Sequence, residues 1–184
     1  EGAGLWCFLM LLLLSIIFDK LPQLTPSQRI FKMIIRAGQE NDYLSVVDLY
    51  AEFGGQVPGI SGEEGCRQWK VLLDHPGTTV VVAENSGRVV SIVTLHVLPN
   101  MTYLGRPYAL IENVITAGDH RGQGLGRQVM ERAIEIAWEA GAYKIMLLTG
   151  KGRKDGGAKG FYESLGFSDE DKFGMTLRKI PARK

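Results

Sequence analysis

The chain has 184 residues, enough for one domain with a real core, and its 45% hydrophobic and 22% charged residues are ordinary for a folded globular protein. A net charge of +1 with dispersed lysines and arginines argues against nucleic acid as a partner. Cys7 and Cys66 make no disulfide framework and His75, His96 and His120 are scattered, so no metal site is expected and a reducing, cytoplasmic setting fits.

Residues 5–18 are almost wholly apolar (L-W-C-F-L-M-L-L-L-L-S-I-I-F), shorter than the run of about 20 that spans a bilayer. No Lys or Arg precedes them, against a signal peptide. Residues 1–31 are therefore set apart as an apolar segment and linker. An oddity of the chain's start, a packed or partner-binding helix, a membrane anchor and a signal peptide stay open, membrane contact being disfavoured but not excluded. Pro22 and Pro26 mark the linker.

Residues 32–184 read as one domain. Residues 32–36 (K-M-I-I-R) suit a first strand and 39–50 a helix capped by Asn41 or Asp42, with Leu44, Val47, Leu49 and Tyr50 on its apolar face. A glycine-rich loop at 53–62 precedes a second helix, opened by Ser61 with Glu63 and Glu64 in its first turn and stopped by His75-Pro76-Gly77. Residues 78–84 and 89–97 form a hairpin about Asn85-Ser86-Gly87. After a loop at 99–107, residues 109–116 are a further strand. The helix at 126–140 has a broad apolar face that includes Val129, Met130, Ala133, Ile134, Ile136, Ala137 and Trp138, and Gly141 ends it. Residues 144–149 read as a buried-type strand, 150–157 as a polar loop, 158–165 as a short helix stopped by Gly166, and 172–177 as a last strand. This order describes one α/β domain with a mixed sheet.

The chemistry concentrates in Arg121-Gly122-Gln123-Gly124-Leu125-Gly126-Arg127, between the strand at 109–116 and the helix. Alternate glycines let the backbone coil tightly. The first amides of the helix lack internal partners and carry partial positive charge, so a pyrophosphate is the natural occupant. A plain strand-to-helix connection needs less than three glycines flanked by two arginines. A Walker loop requires Gly-Lys-Ser/Thr, but Arg127-Gln128 follows Gly126. The dinucleotide fingerprint requires G-x-G-x-x-G and an acid ending the next strand, and both are missing. Coenzyme A remains a good candidate.

These residues resemble the GNAT superfamily of acyl-CoA-dependent N-acyltransferases, whose Arg/Gln-x-x-Gly-x-Gly/Ala signature is met by Arg121, Gly124 and Gly126. Phe161-Tyr162-Glu163-Ser164-Leu165-Gly166-Phe167 is similar to the family's F-Y-x-x-x-G-F, and Ile111-Glu112-Asn113-Val114-Ile115 looks like its fourth strand. The likeness covers roughly residues 32–179. It implies an α/β (α+β) fold with a central mixed sheet, splayed between the fourth and fifth strands and flanked by helices. Acetyl-CoA would serve as cosubstrate, its pantetheine arm along Val114, Ile115 and Thr116 and its pyrophosphate on the amides of Gln123 to Arg127. The family usually transfers the acyl group directly to an amine.

An alkyl ammonium with a pKa near 10 must lose a proton before it attacks. Glu112, a charged residue on the strand that would support the cofactor, is the best base; a solvent-facing acid is the alternative. His120 is a poorer base because it lies in the phosphate turn. By resemblance Tyr162 is the acid that protonates the leaving thiolate; the alternative is a packing tyrosine. One departure is the stretch 150–157, which lacks the Asn that family members often place before the C-terminal helix. Lys151, Arg153 and Lys154 stand there instead, as 3′-phosphate ligands or as solvated loop. The expected acceptor is a small-molecule primary amine, bound by the loops at 53–62 and 99–107. A protein or peptide acetyltransferase, a non-catalytic acyl-CoA-binding module and a membrane-tethered or oligomer-forming protein are the competing readings. A homodimer is left open.

Overall fold

The computed structural model describes residues 33–52, 62–150 and 158–179. The expectations for the apolar segment at 5–18, its linker, the Ser61 cap, the loop at 53–61 and the basic loop at 151–157 fall outside the described residues.

Strand β1 is Met33–Ala37, and α1 is Tyr43–Glu52, entered through a 3-10 turn at Glu40–Asp42. Asp42 is buried: it accepts the Gln39 N–H at 2.7 Å and pairs with Arg36 at 2.7 Å, while Arg36 also reaches Glu84 at 2.8 Å. That anchor starts the helix at Tyr43, so its inner face is Tyr43, Val46 and Leu49. The face expected from sequence was rotated by about one residue; Leu44 is 74% exposed. Helix α2, Gly62–Asp74, buries Trp69, whose indole N–H donates to the Gln39 carbonyl at 3.0 Å.

Strands β2, Thr78–Asn85, and β3, Arg88–Leu98, form the expected hairpin. Ser86 and Gly87 both have positive φ (53° and 85°), as a tight hairpin turn matching strand twist requires. The middle of both strands is fully buried and forms the core with α3, Leu125–Glu139. Helix α3 buries Leu125, Val129, Met130, Ala133 and Ala137 at helical spacing. Its apolar face is narrower than the composition suggested, since Trp138 is 50% exposed. Gly141, at φ 78°, ends the helix as expected.

Strand β4 is Tyr108–Thr116, β5 is Ile145–Leu147 and α4 is Lys159–Glu163. The sheet order is β1-β2-β3-β4-β5; neighbours are antiparallel except β4 and β5, which are parallel and joined through α3. Two expectations are corrected here. The last strand does not form: residues 172–178 join no ladder, and Phe173, Met175 and Leu177 are almost wholly exposed. An alternating apolar pattern makes a strand only where an edge pairs with it. Consequently β5 is an edge strand rather than a buried one, and Met146 and Leu148 meet solvent.

Candidate active site

The site begins where β4 outruns its partner. Pairing between β4 and β5 ends at Ile111 opposite Leu147, yet β4 continues to Thr116. Against β3, the register passes from Thr94 opposite Glu112 to Ile92 opposite Ile115. Two residues of β4 thus face one of β3, a β-bulge that bends the strand where it leaves β5. Asn113 sits in the bulge at φ 54°, a left-handed conformation that Asn tolerates better than most residues. Past the bulge, the Ser91 hydroxyl donates to the Ile115 carbonyl at 3.0 Å and lies 2.8 Å from Thr116 Oγ1, holding the end of β4 against β3. The sheet is therefore splayed between β4 and β5, as the resemblance implied.

Below the splay lies the glycine turn. Gly122 and Gly124 have φ of 75° and 80°, where a side chain is strained. A Cβ on Gly126 would sit 3.2 Å from Thr116 Oγ1 and 3.7 Å from Phe161 Cζ, so this glycine lets the start of α3 approach β4 and α4 together. The Gln128 N–H donates to Gly124 C=O at 3.1 Å, so the amides of Leu125, Gly126 and Arg127 are the unpartnered first amides of the helix. They carry its partial positive charge.

A cavity of about 800 Å³ gathers Val114, Ile115 and Thr116 from β4, Arg121, Gly122, Gly124, Leu125, Gly126 and Arg127 from the turn, and Tyr162 from α4. Every cofactor residue expected from sequence lines it except Gln123, whose side-chain amide donates to the Asp119 carbonyl at 3.0 Å. Glu52, His120, Ala158 and Phe161 also line it and were not foreseen as ligand contacts. Both arginines are tied to the fold. Arg121 Nε donates to the Thr116 carbonyl at 3.0 Å, and Arg127 reaches Ser164 Oγ at 2.6 Å and Glu131 at 3.4 Å. Arg127 thereby joins the start of α3 to the helix that carries Tyr162. This set — free amides, fixed cations and the uncovered end of a strand — suits a phosphorylated ligand with an extended arm.

Tyr162 is packed edge-on between Phe161 at 5.2 Å and Phe167 at 6.2 Å. Burial pushes its phenol pKa up from the usual value, and the charge of Glu112 pushes it further. It therefore stays protonated at neutral pH, as a proton donor must. Glu112 does not line the cavity; it lies exposed on β4, opposite Thr94 and close enough to Tyr162 to act on it through its charge. The two candidates meet electrostatically at the mouth of the splay. His120 lines the cavity but is held by Asp119 at 2.6 Å and Asn85 at 3.2 Å.

One cluster was not legible. His75 and His96, scattered in the chain, are both brought within hydrogen-bond distance of one hydroxyl, Thr78 Oγ1, at 3.0 and 2.8 Å. The hairpin pattern carried part of the signal, but a bulge between Ala83 and Glu84 shifts the register, so counting back from the turn misses the Thr78–His96 pair by one residue. Among the described residues no group of His, Cys, Asp and Glu could hold a metal ion, and no helix is long and apolar enough to cross a membrane.

Known proteins are similar to this chain in sequence and fold. The acetyltransferase (GNAT) family matches residues 43–167. A glucosamine 6-phosphate N-acetyltransferase of Trypanosoma brucei brucei is 33% identical over 142 residues, covering 75% of this chain and 90% of that protein. Among solved structures, a presumed acetyltransferase from Agrobacterium tumefaciens str. C58 superposes with a TM-score of 0.74 at 38% identity, covering 79% of this chain and 99% of that one. The glucosamine-6-phosphate N-acetyltransferase of Arabidopsis thaliana superposes with a TM-score of 0.71 at 20% identity, a likeness of fold, over 81% of this chain and 99% of that one.

Proposed function

The chain belongs to the acetyltransferase (GNAT) family and is an acyltransferase, and from that premise we propose that it moves an acetyl group from acetyl-CoA directly to a primary amine of a small molecule. The reading rests on one observation: the open end of β4, the free amides of the glycine turn and the Tyr162 side chain all border a single cavity. The acetyl-transfer domain is taken as residues 32–184. The cytoplasmic setting belongs to the same proposal.

In this reading the amides of Gln123 to Arg127, with Arg121 and Arg127 beside them, hold the pyrophosphate. Main chain at Val114 to Thr116 holds the arm. Acetyl-CoA supplies the activated acetyl group as a thioester. Glu112 takes a proton from the acceptor ammonium, directly or through water, so that a neutral amine is present to attack. Tyr162 donates its phenolic proton toward the departing sulfur; its raised pKa keeps that proton in place between turnovers. Fixing both substrates at the splay supplies much of the rate. Glucosamine 6-phosphate is the first acceptor to try, because a relative of 33% identity carries that activity in its name.

The test couples binding to turnover. Acetyl-CoA is expected to raise the melting temperature of the full chain, and a thiol-release assay against a panel of amino sugars, amino acids, polyamines and aminoglycosides is expected to find an acceptor. A chain that binds acetyl-CoA yet releases thiol with none of them, and instead acetylates a peptide amine, overturns the small-molecule reading.

A further inference from the structure

We propose that His96, Thr78 and His75 form a proton exit line, carrying to solvent the proton that Glu112 takes from the acceptor amine; this rests on the acetyl-transfer reading above. The sheet itself sets the line. His96 on β3 stands opposite Thr78 on β2, and Thr94, two residues earlier on β3, stands opposite Glu112 on β4. Opposed residues and residues two apart share a face, so Thr78, His96 and Glu112 lie on the same side of the sheet. Glu112 and His96 are diagonal neighbours across the β3–β4 pair, a separation of roughly 7 Å that a long carboxylate side chain or one water spans.

The Thr78 hydroxyl lies 2.8 Å from His96 Nδ1 and 3.0 Å from His75 Nδ1. A hydroxyl has one proton to give. It therefore donates to one imidazole and accepts from the other, and the three groups form a directed chain. The backbone holds that chain in place. Gly77, at φ 75°, accepts the Val97 N–H at 2.7 Å, and a Cβ there would come within 2.4 Å of the Val97 carbonyl oxygen. The Thr78 N–H donates to the His75 carbonyl at 3.0 Å, closing the turn. His75 is exposed, and a cavity of about 350 Å³, bordered by Gln68, Val71 and Leu72 of α2, runs beside all three groups.

The charged groups bearing on His96 fit this use. Its imidazole pKa is pulled below the usual value by burial first and by His75 second, against the opposing pull of Glu112. His96 is thus neutral at pH 7 and able to accept, while Glu112 draws the proton toward it. In the transfer, the ammonium of the acceptor loses a proton to the Glu112 carboxylate, which passes it to His96 Nε2. The Nδ1 proton of His96 moves to Thr78 Oγ1 as the hydroxyl proton moves to His75 Nδ1. His75 then releases its Nε2 proton to solvent. One proton enters and one leaves, no electrons are exchanged, and tautomer exchange of the rings resets the line.

The experiment uses the full chain with acetyl-CoA and glucosamine 6-phosphate, or whichever amine the panel identifies, in dilute buffer. Thr78→Val keeps a β-branched residue in the strand and removes the hydroxyl. It is expected to lower kcat about 10-fold with both KM values unchanged, less than the roughly 10²–10⁴-fold of a group acting on the substrate itself, because solvent at the exposed Glu112 still carries part of the proton flux. Added imidazole is expected to restore most of that rate by carrying the proton instead, and Thr78→Ser, which keeps the hydroxyl, to restore what Thr78→Val loses. His96→Gln is expected to behave as Thr78→Val does. A Thr78→Val chain with wild-type kcat in dilute buffer overturns the proposal, as does a loss that neither imidazole nor serine restores. Absence of turnover in the wild-type chain with every amine overturns the acetyl-transfer reading and the line together.

Discussion

Replacing Tyr162 with Phe removes one oxygen and keeps the ring that packs against Phe161 and Phe167. The fold should therefore hold, and the lost function should be the proton given to the departing sulfur. General acids contribute about 10²–10⁴-fold. Burial and the charge of Glu112 raise the Tyr162 pKa, which keeps the phenol protonated but makes it a weaker acid. The expected effect is thus at the low end, about 10²-fold in kcat, or about 2.7 kcal/mol of barrier. The same shift sets the pH dependence. A raised pKa keeps the donor form populated through the ordinary phenol value near 10, so the alkaline fall of kcat should lie above that value and be absent from Tyr162→Phe. Thiol release at saturating acetyl-CoA and amine measures both, with the melting temperature as control. A Tyr162→Phe enzyme within two-fold of wild-type kcat and with the same alkaline limb refutes the assignment.

Further outcomes follow from the same geometry. Glu112→Gln should lower kcat/KM for the amine about 10²-fold at neutral pH, the low end for a general base, while calorimetry shows acetyl-CoA affinity unchanged. Gly124→Ala puts a side chain at φ 80°; it should cost about 1–2 kcal/mol of stability and weaken acetyl-CoA binding, read by thermal melts with and without ligand. Asp42→Asn should cost about 2 kcal/mol, below the range for a fully buried ion pair because Arg36 keeps Glu84. Burial pushes the Asp42 pKa up, but hydrogen bonds from Arg36 and Gln39 outweigh it and the folded value is depressed. Its contribution is therefore present above the unfolded value near 4 and lost as pH falls through the folded one. Acid denaturation of Asp42→Asn should begin from lower stability and have a shallower slope below pH 4.

The glycine turn was more legible than the edges of the fold. Glycines at 122, 124 and 126 announce a backbone that coils under a helix start, and each has the predicted consequence in φ or in close approach. The fourth strand and the short helix that carries Tyr162 were legible because both have distinctive local patterns. Leu44, Trp138 and the segment at 172–178 misled for one reason: hydrophobic pattern specifies a face or a strand only when another element covers it. The β4 bulge at Asn113 and the His75–Thr78–His96 contact depend on strand register, which one extra residue shifts and which no local pattern encodes.

Acetyl transfer from acetyl-CoA to a small amine at the β4–β5 splay is checked by incubating the chain with acetyl-CoA and glucosamine 6-phosphate and following free thiol alongside the amine product by mass spectrometry. Thiol and N-acetylated product are expected in equal amounts, with both lost when Glu112 and Tyr162 are replaced together. Thiol release without an N-acetylated product, or equal turnover by the double variant, contradicts it.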